Sequence, residues 1–225
     1  MTSRLIAVAR NHRDARLASS LSVEDMLLTD IIFNDLGRAR ETLSVFTLET
    51  GLLHRETREL LEESAGRYPG LMTVYEPDRE KVAAYVTANG VHAFYDSLEL
   101  RHGCCALRKV EPLNRALQGA DAWITGQRRQ QASTRIALPL VEDDRARNIR
   151  KYNPLADWSE AEVWAAAKTR NVPVNTLYHK GYPSIGCEPC TIAVKAGEDI
   201  RSGRWWWEQS NRRECGLHVP PAPAD

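Results

Sequence analysis

The sequence has little that would mark a membrane protein, a secreted protein or a general binder of nucleic acids. Its 225 residues carry 30 basic and 30 acidic side chains, whereas a general nucleic-acid or anionic-membrane binder is usually basic. No apolar run approaches the length of a membrane span. The apolar run at residues 5–9 is too short for the core of a signal peptide. We therefore expect a cytoplasmic protein that binds neither nucleic acid nor membranes.

Internal repeats and low-complexity linkers are also absent from the sequence. A chain of this length with 43% hydrophobic residues is large enough to bury one well-packed core. We predict a single domain over residues 1–218, followed by a disordered proline-rich tail at residues 219–225.

Short apolar segments alternate with helical segments along much of the sequence. The pattern predicts strands at residues 17–21, 43–48, 71–75, 122–125 and 136–141. It predicts helices that begin near Glu24 or span residues 53–65, 78–88 and 105–117. This alternation predicts an α/β protein with an open, mostly parallel sheet and flanking helices. From about residue 153 we predict a helical C-terminal extension packed on the sheet, with Asp157 or Ser159 capping a helix.

Polar and basic residues follow three of the predicted strands, at residues 19–22, 49–51 and 126–129. In open parallel sheets, ligands bind beyond these carboxyl ends. Arginine side chains suit phosphate and sulfate oxygens, and their position at strand ends favours an anionic small molecule as the ligand. A surface charge is the alternative interpretation of each of them. The arginines concerned are Arg128, Arg129, Arg135, Arg201 and Arg204.

Only five cysteines occur, and four of them form two close pairs. Cys187 and Cys190 form a Cys-x-x-Cys pair, and Cys104 and Cys105 are adjacent. In a cytoplasmic protein such pairs are typical metal ligands or redox groups. Because adjacent residues project in different directions, Cys104 and Cys105 suit a wide 4Fe–4S cluster better than one zinc ion. The spacing favours a cluster, while a zinc site and two unrelated buried pairs stay open as alternatives.

Cations stand beside the adjacent pair. Arg108 and Lys109 would stabilise the negative charge of a thiolate-bound cluster. A solvated basic face of a helix is the alternative interpretation of these two residues.

The fifth cysteine, Cys215, is separated from the other four. It lies just after Arg212 and Arg213 and shortly before His218. Positive neighbours lower the pKa of a thiol and favour the reactive thiolate. Cys215 is therefore a candidate nucleophile, and an incidental surface cysteine is the alternative.

Taken together, these motifs resemble the assimilatory adenylyl-sulfate reductases, a branch of the phosphoadenylyl-sulfate reductase family. The resemblance covers residues 19–218. The matching segments include Cys104-Cys105-x-x-Arg108-Lys109, Ile124-Thr125-Gly126-Gln127-Arg128-Arg129-Gln130-Gln131, Tyr182-Pro183-Ser184-Ile185-Gly186-Cys187-Glu188-Pro189-Cys190, Gly203-Arg204-Trp205-Trp206-Trp207 and Glu214-Cys215-Gly216-Leu217-His218.

The resemblance implies a nucleotide-binding fold like that of the ATP pyrophosphatases and other adenine-nucleotide α-hydrolases. It implies one 4Fe–4S cluster per chain, held by Cys104, Cys105, Cys187 and Cys190, with Cys215 as the catalytic nucleophile. The residues expected to bind substrate are Ser20, Ser22, Lys109, Gly126, Arg128, Arg129, Arg201, Arg204 and His218.

The implied activity is the reduction of adenosine 5′-phosphosulfate to sulfite and AMP, in sulfate assimilation toward cysteine. Cys215 would carry an S-sulfocysteine that thioredoxin or glutaredoxin resolves. A phosphoadenylyl-sulfate or dual-substrate reductase is the main alternative, and a homo-oligomer stays open.

Two functions of other classes are disfavoured. An ATP-dependent tRNA sulfurtransferase would be expected to have a Ser-Gly-Gly-x-Asp-Ser loop, which the sequence lacks. A zinc-stabilised RNA- or protein-binding module fits poorly with the neutral charge and the extra thiol.

Two positions depart from the usual pattern of the family. Ser22 stands where relatives usually have glycine, and Glu49 stands where aspartate is usual. Both lie where the resemblance places the nucleotide.

Overall fold

Six strands and seven α-helices form the framework of the described residues, which are 1–132, 135–195 and 197–208 of a computed structural model. The strands are β1 (Ala15–Ser19), β2 (Leu43–Leu48), β3 (Met72–Tyr75), β4 (Ala122–Ile124), β5 (Val141–Asp144) and β6 (Ile149–Tyr152). The helices are α1 (Thr2–Asn11), α2 (Val23–Asn34), α3 (Arg55–Arg67), α4 (Arg79–Asn89), α5 (Leu98–Cys105), α6 (Glu111–Leu117) and α7 (Glu160–Thr169). Shorter helical turns are the π-helical Ala106–Val110 and the 3-10 segments Gly37–Thr42, Ala93–Tyr95, Arg129–Gln131, Thr176–Lys180 and Glu188–Cys190.

The strands form one sheet in the order β3-β2-β1-β4-β6-β5. Neighbouring strands are parallel except β5 and β6, which are antiparallel. The chain runs from β1 outward to β3 and then returns to place β4 on the other side of β1. The strand order therefore reverses between β1 and β4, where ligands bind in sheets of this kind. The predicted open, mostly parallel α/β fold is confirmed.

Helices cover both faces of the sheet. The larger core cluster joins α1, α2, α3 and α7 to side chains such as Val45 of β2 and Ile124 of β4. The neighbouring residues Phe46 and Trp123 belong to a second cluster, which they form with α6. Because successive side chains of a strand point to opposite faces, the two clusters lie on opposite sides of the sheet.

Helix α2 lies at the centre of the larger cluster. Its residues from 23 to 32 are all buried, which is typical of a helix covered on every side. Its N-cap is Ser22, whose hydroxyl accepts a hydrogen bond from the Asp25 N–H. This cap fixes where the chain leaves β1, and so positions the turn at the reversal point.

The predicted strand at residues 136–141 is wrong. Residues 136–140 form no strand, and the Ile136 side chain is 72% exposed. Pro139 lacks the N–H that a central strand needs for its ladder. The sheet is extended instead by the hairpin of β5 and β6, whose charged residues hide the alternation typical of a strand.

The helix predicted at residues 105–117 is confirmed, since all of these residues are helical, but the structure adds a longer start and a π-helical turn. Helix α5 begins earlier, at Leu98, and the turn at Ala106–Val110 separates it from α6. π-helical turns of this kind are frequent at functional sites. Cys104 and Cys105 are the last two residues of α5, immediately before the turn.

The C-terminal extension begins after β6 with a well-capped helix. Ser159, one of the two predicted caps, accepts a hydrogen bond from the Glu162 N–H, and the Glu162 carboxylate accepts one from the Ser159 N–H. Val163 and Ala167 then carry α7 into the larger core cluster. The tail predicted at residues 219–225 lies outside the described residues.

Among the described residues, no helix has the length and the apolar character that crossing a membrane requires.

Candidate active site

A cavity of about 250 Å³ opens beyond the carboxyl ends of β1 and β4. The structure brings seven of the nine predicted substrate-binding residues to its walls. These are Ser20, Ser22, Lys109, Gly126, Arg128, Arg201 and Arg204. Arg129 does not line the cavity, because its guanidinium donates to the Leu138 carbonyl at 2.8 Å. His218, like the predicted nucleophile Cys215, lies outside the described residues.

Asp25 holds the turn between β1 and α2 against the end of β4. Its carboxylate accepts hydrogen bonds from the Ser20 N–H and hydroxyl, both at 2.7 Å, and from the Gly126 N–H at 3.0 Å. A Cβ atom at position 126 would lie 2.3 Å from Asp25 Oδ1, so the approach requires glycine. Within the turn, Leu21 has a φ of 60°, a left-handed conformation that leucine rarely adopts. Strain of this kind clusters at functional sites.

The environment of Asp25 favours its protonated form. The residue is 4% exposed, and burial raises the pKa of its carboxyl from the ordinary 3.8 to about 6. The hydrogen bonds from Ser20 act in the opposite direction but do not offset the burial.

Arg128 is paired within the wall of the cavity. Its Nε donates to Glu24 Oε1 at 2.8 Å, and Gln131 Nε2 donates to the same oxygen at 3.1 Å. Both charged side chains of the pair are almost completely buried. Arg128 therefore links α2 to the segment after β4, a structural role that the sequence does not reveal.

The two positions that depart from the family pattern have defined partners. Ser22 Oγ accepts the 3.4 Å hydrogen bond that caps α2, which a glycine could not provide. Glu49 accepts from the Gly51 N–H at 2.7 Å and pairs with Arg58 at 3.0 Å. Ser22 lines the cavity, whereas Glu49 lines a neighbouring cleft.

Backbone hydrogen bonds fix the loop that contains Cys187 and Cys190. The Glu188 N–H donates to the Leu52 carbonyl at 2.7 Å, and the Trp205 N–H donates to the Cys190 carbonyl at 3.0 Å. The Thr50 hydroxyl lies 3.3 Å from Cys187 Sγ. These contacts hold the loop against the segment that follows β2. The loop therefore lies beside the cavity, which Cys187 lines.

Both cysteine pairs are buried, and they lie close enough for their charges to interact. Cys104, Cys105, Cys187 and Cys190 are each 5–7% exposed, and none of them forms a disulfide. Burial raises the pKa of the Cys104 thiol to about 11 and that of Cys190 to about 12. Charge on Cys187 would raise the pKa of Cys104 further, and charge on Cys105 would do the same for Cys190.

The donor set fits an iron–sulfur cluster by its chemistry. Within the part of the chain that the structure describes, no group of three or more His, Cys, Asp or Glu side chains could hold a metal ion. The four cysteines nevertheless provide buried thiols close to cations. Thiols with raised pKa values keep their protons at neutral pH, and binding to a metal centre is what releases those protons.

Three cations lie beside the cysteines and oppose the rise in their pKa values. Arg108 lowers the pKa of Cys104 and donates to the Thr50 carbonyl at 2.7 Å. Lys109 and Arg204 both lower the pKa of Cys190 and both line the cavity. A Cβ atom at Gly186 would lie 2.2 Å from Arg204 Nη2, so the guanidinium packs directly on the backbone of the cysteine loop.

Several residues of the cavity wall carried no functional signal in the sequence. In the sequence, Asp25 is one of the acidic residues at the start of a predicted helix. Acidic residues are favourable at that position because of the helix dipole, so it does not stand out. Trp164 and Tyr178 come from the C-terminal extension, and their place at the cavity depends on how it folds back. Gln127 and Gln131 lie in the segment after β4 that resembles the family. That resemblance was the one signal that could have identified them.

Known proteins resemble this chain along most of its length. The family described as phosphoadenosine phosphosulfate reductase domain matches residues 16–193. An adenosine 5′-phosphosulfate reductase of Neisseria meningitidis is 55% identical over 219 residues, which cover 97% of this chain and 87% of that protein. The enzyme of the same name from Allochromatium vinosum is 49% identical over 214 residues, covering 95% and 82%.

Solved structures agree at the level of the fold. A phosphoadenylyl-sulfate (PAPS) reductase from Candida auris, in a phosphate complex, superimposes with a TM-score of 0.72 at 25% identity, covering 85% of this chain and 89% of that one. The FMN adenylyltransferase of Candida glabrata has a TM-score of 0.56 at 16% identity, covering 99% and 78%, and is similar in fold alone. On the match to its domain and the identity to its members, the chain belongs to the phosphoadenosine phosphosulfate reductase family.

Proposed function

We propose that this protein is an adenylyl-sulfate reductase that converts adenosine 5′-phosphosulfate to sulfite and AMP in assimilatory sulfate reduction. The relatives named for this reaction support the proposal, since they align along nearly the whole chain. The position of the cavity, at the reversal of strand order, suits the nucleotide part of such a substrate.

One observation carries the assignment of the reacting end of the substrate. Lys109, Arg201 and Arg204 line the same cavity as Cys187, beside the cysteine group. The phosphosulfate is the anionic end of the nucleotide, and these three cations would neutralise it and the charge that develops as it reacts. Its sulfur would then lie at the cysteine side of the cavity.

Cys104, Cys105, Cys187 and Cys190 would hold a single 4Fe–4S cluster. When bound, the cluster would order this side of the cavity and contribute to its local field, rather than donate the electrons. Arg108 and Lys109 would balance its negative charge.

In the first chemical step, the nucleophile is Cys215, which lies outside the described residues. Its thiolate attacks the sulfur of the phosphosulfate, the bond from that sulfur to the bridging oxygen breaks, and AMP leaves with the electron pair. The enzyme then carries a sulfonate on Cys215 Sγ, a covalent intermediate that divides the reduction into two displacements. His218 would orient or ion-pair with Cys215.

The second step needs an external dithiol, for which we propose thioredoxin or glutaredoxin. One thiolate of the donor attacks Cys215 Sγ and forms a mixed disulfide, and sulfite leaves. The second thiol of the donor then resolves this disulfide and restores the Cys215 thiol. The two electrons for the reduction therefore come from the dithiol, which becomes a disulfide.

We further propose that residues 1–218 form one reductase domain that works in the cytoplasm. A second candidate substrate is the 3′-phosphorylated nucleotide, because the Candida auris structure is named as a PAPS reductase. Turnover of both nucleotides would identify a dual-substrate enzyme.

The test is a sulfite-release assay on full-length, anaerobically purified protein, with both sulfonucleotides and a reduced dithiol protein. We expect adenosine 5′-phosphosulfate to be the better substrate. Without the dithiol, one AMP should be released per active chain, with the sulfonate found on Cys215 by mass spectrometry. The protein should contain about four irons and four sulfides per chain.

Two matched serine variants separate the nucleophile from the cluster ligands. Cys215→Ser should abolish AMP release and sulfite formation but keep its iron. Cys187→Ser should lose iron. If the wild-type protein forms no sulfite, the proposed reaction is contradicted. If it contains zinc without sulfide, the cluster is contradicted. If Cys215→Ser loses iron, Cys215 is a cluster ligand and one of the other four cysteines is the free thiol.

A further inference from the structure

Gln127 is a buried side chain with an unsatisfied acceptor. It follows Gly126 at the carboxyl end of β4 and is 6% exposed. Its N–H donates to Thr125 Oγ1 at 3.4 Å, but its side-chain oxygen Oε1 has no hydrogen-bond partner among the described residues. Leaving a buried acceptor unpaired is unfavourable, and such groups in folded proteins call for an explanation.

The surroundings of Gln127 indicate that its missing partner is a ligand. Its two chain neighbours are both tied to the start of α2, since Gly126 donates to Asp25 and Arg128 donates to Glu24. Gln127 lies between them and lines the cavity. An acceptor in this position becomes satisfied when the occupant of the cavity presents a hydrogen-bond donor.

The charge distribution indicates which part of a nucleotide reaches this wall. The carboxylates of Glu24 and Asp25 occupy the first turn of α2, so this helix N-terminus does not suit a phosphate. The cations Lys109, Arg201 and Arg204 are available to the phosphosulfate elsewhere in the cavity. The wall formed by Ser20, Asp25 and Gln127 is therefore left for the nucleoside.

Within the nucleoside, the ribose fits this polar wall better than the base. Adenine is flat and stacks, and the cavity offers it aromatic and aliphatic side chains such as Trp164, Tyr178 and Ile185. Ribose hydroxyls need hydrogen-bond acceptors once they are removed from water. Gln127 Oε1 is an acceptor that still has this capacity.

We propose that Gln127 is a specificity-determining residue that reads the ribose, with its side-chain oxygen accepting a hydrogen bond from a ribose hydroxyl. The proposal rests on the proposed function for the identity of the nucleotide. A phosphate group at this edge of the sugar brings acceptor oxygens instead of a hydroxyl hydrogen. The same contact therefore disfavours a nucleotide phosphorylated on that hydroxyl.

The test compares wild type, Gln127→Leu and Gln127→Met by calorimetric titration with AMP, 2′-deoxy-AMP, 3′-deoxy-AMP and adenosine 3′,5′-bisphosphate. Wild type should bind AMP about tenfold more tightly than the deoxy nucleotide that lacks the contacted hydroxyl. If that nucleotide is 3′-deoxy-AMP, the bisphosphate should bind more weakly by a similar factor, because its phosphate replaces the same hydroxyl hydrogen. In both variants AMP should bind about tenfold more weakly, and these preferences should largely disappear. The KM for the sulfonucleotide should rise by a similar factor with kcat nearly unchanged.

Ligand-free stability separates this role from a structural one. Gln127→Leu and Gln127→Met should unfold at the same or a higher urea concentration than wild type, because they remove an unsatisfied acceptor. Gln118→Leu, at an exposed position after α6, is the matched control and should leave all nucleotide affinities unchanged.

The outcomes distinguish this inference from the proposed function. The inference is overturned if the Gln127 variants keep the wild-type preferences, or if wild type does not bind AMP. A wild-type protein that binds AMP with the expected ribose preference, yet forms no sulfite from either sulfonucleotide, supports the inference and contradicts the proposed reaction alone.

Discussion

Asp25 shows how burial and hydrogen bonding compete at one residue of the cavity wall. Three hydrogen bonds from Ser20 and Gly126 stabilise its carboxylate, yet burial raises its pKa to about 6. The unfolded chain ionises this group near 3.8. The folded state therefore binds the proton more tightly than the unfolded state, and this contribution to stability is full below about pH 4 and lost as pH rises through about 6.

Asp25→Asn removes this titration. The stability of wild type relative to the variant is the difference between their free energies of unfolding. We expect this difference to fall by about 2–3 kcal/mol between about pH 4 and about pH 7. Urea unfolding of both proteins across this range measures the difference. A difference that stays constant with pH would show that the Asp25 pKa is not raised.

Asp78→Asn is a control of opposite sign. Asp78 caps α4 at the surface, and hydrogen bonds from the N–H groups of Lys81 and Glu80 lower the pKa of its carboxyl. A lowered pKa gives stability that is present at neutral pH and lost as pH falls. The advantage of wild type over Asp78→Asn should therefore grow with rising pH, whereas its advantage over Asp25→Asn should shrink.

The contact between the β1–α2 turn and the end of β4 depends on a glycine at position 126. Its added Cβ atom would lie 2.3 Å from Asp25 Oδ1 and 2.9 Å from the Glu24 Cβ atom. Gly126→Ala should lower the free energy of unfolding by about 1–3 kcal/mol, because the two elements must move apart. Displacing this wall of the cavity should also weaken the binding of AMP, measured by calorimetry.

Gly66→Ala provides the matched control within α3. A Cβ atom at Gly66 would meet no heavy atom within 4 Å. Alanine in a helix is about 0.5–1 kcal/mol more favourable than glycine, so this variant should be slightly stabilised and should bind AMP normally. If the two alanine variants behave alike, close approach at Gly126 is not what holds the turn.

Elements with a regular apolar pattern could be predicted from the sequence. The predicted strand at residues 43–48 coincides with β2, whose buried side chains alternate between the two core clusters. The hairpin of β5 and β6 was missed because it lies at the edge of the sheet and is rich in charge. Its buried Lys151 pairs with Glu142 at 2.8 Å and packs over Trp123.

Contacts in the site between distant parts of the chain could not be predicted from the sequence, because they depend on how the chain folds. Gly126 and Asp25 are 101 positions apart, and neither residue type predicts the other. The same holds for Arg128, which was predicted to bind substrate and is paired with Glu24. The sequence also predicts that the four paired cysteines share one cluster, and this stays a prediction, because spacing alone does not fix how the two pairs are placed in the fold.

At the scale of the whole molecule, a buried ion pair connects the far end of the described chain to α5. Arg101 Nε donates to Glu208 Oε1 at 2.7 Å, and Arg101 Nη2 donates to Glu208 Oε2 at 3.2 Å. The Arg101 guanidinium also lies 4.7 Å from the ring centre of Trp205. The pair therefore fixes the segment around Trp205, which packs on Cys187 and Cys190, to the helix that ends in Cys104 and Cys105.

Glu208→Ala should destabilise the protein strongly. The Arg101 side chain is 1% exposed, so removing this carboxylate leaves a buried cation without its bidentate partner. Losses of this kind cost about 3–5 kcal/mol, measured here as the change in the free energy of urea unfolding. Glu76→Ala removes the carboxylate of an exposed pair with Arg79 and should change stability by less than about 1 kcal/mol. Equal losses in the two variants would mean that the Arg101–Glu208 pair does not fix this segment to α5.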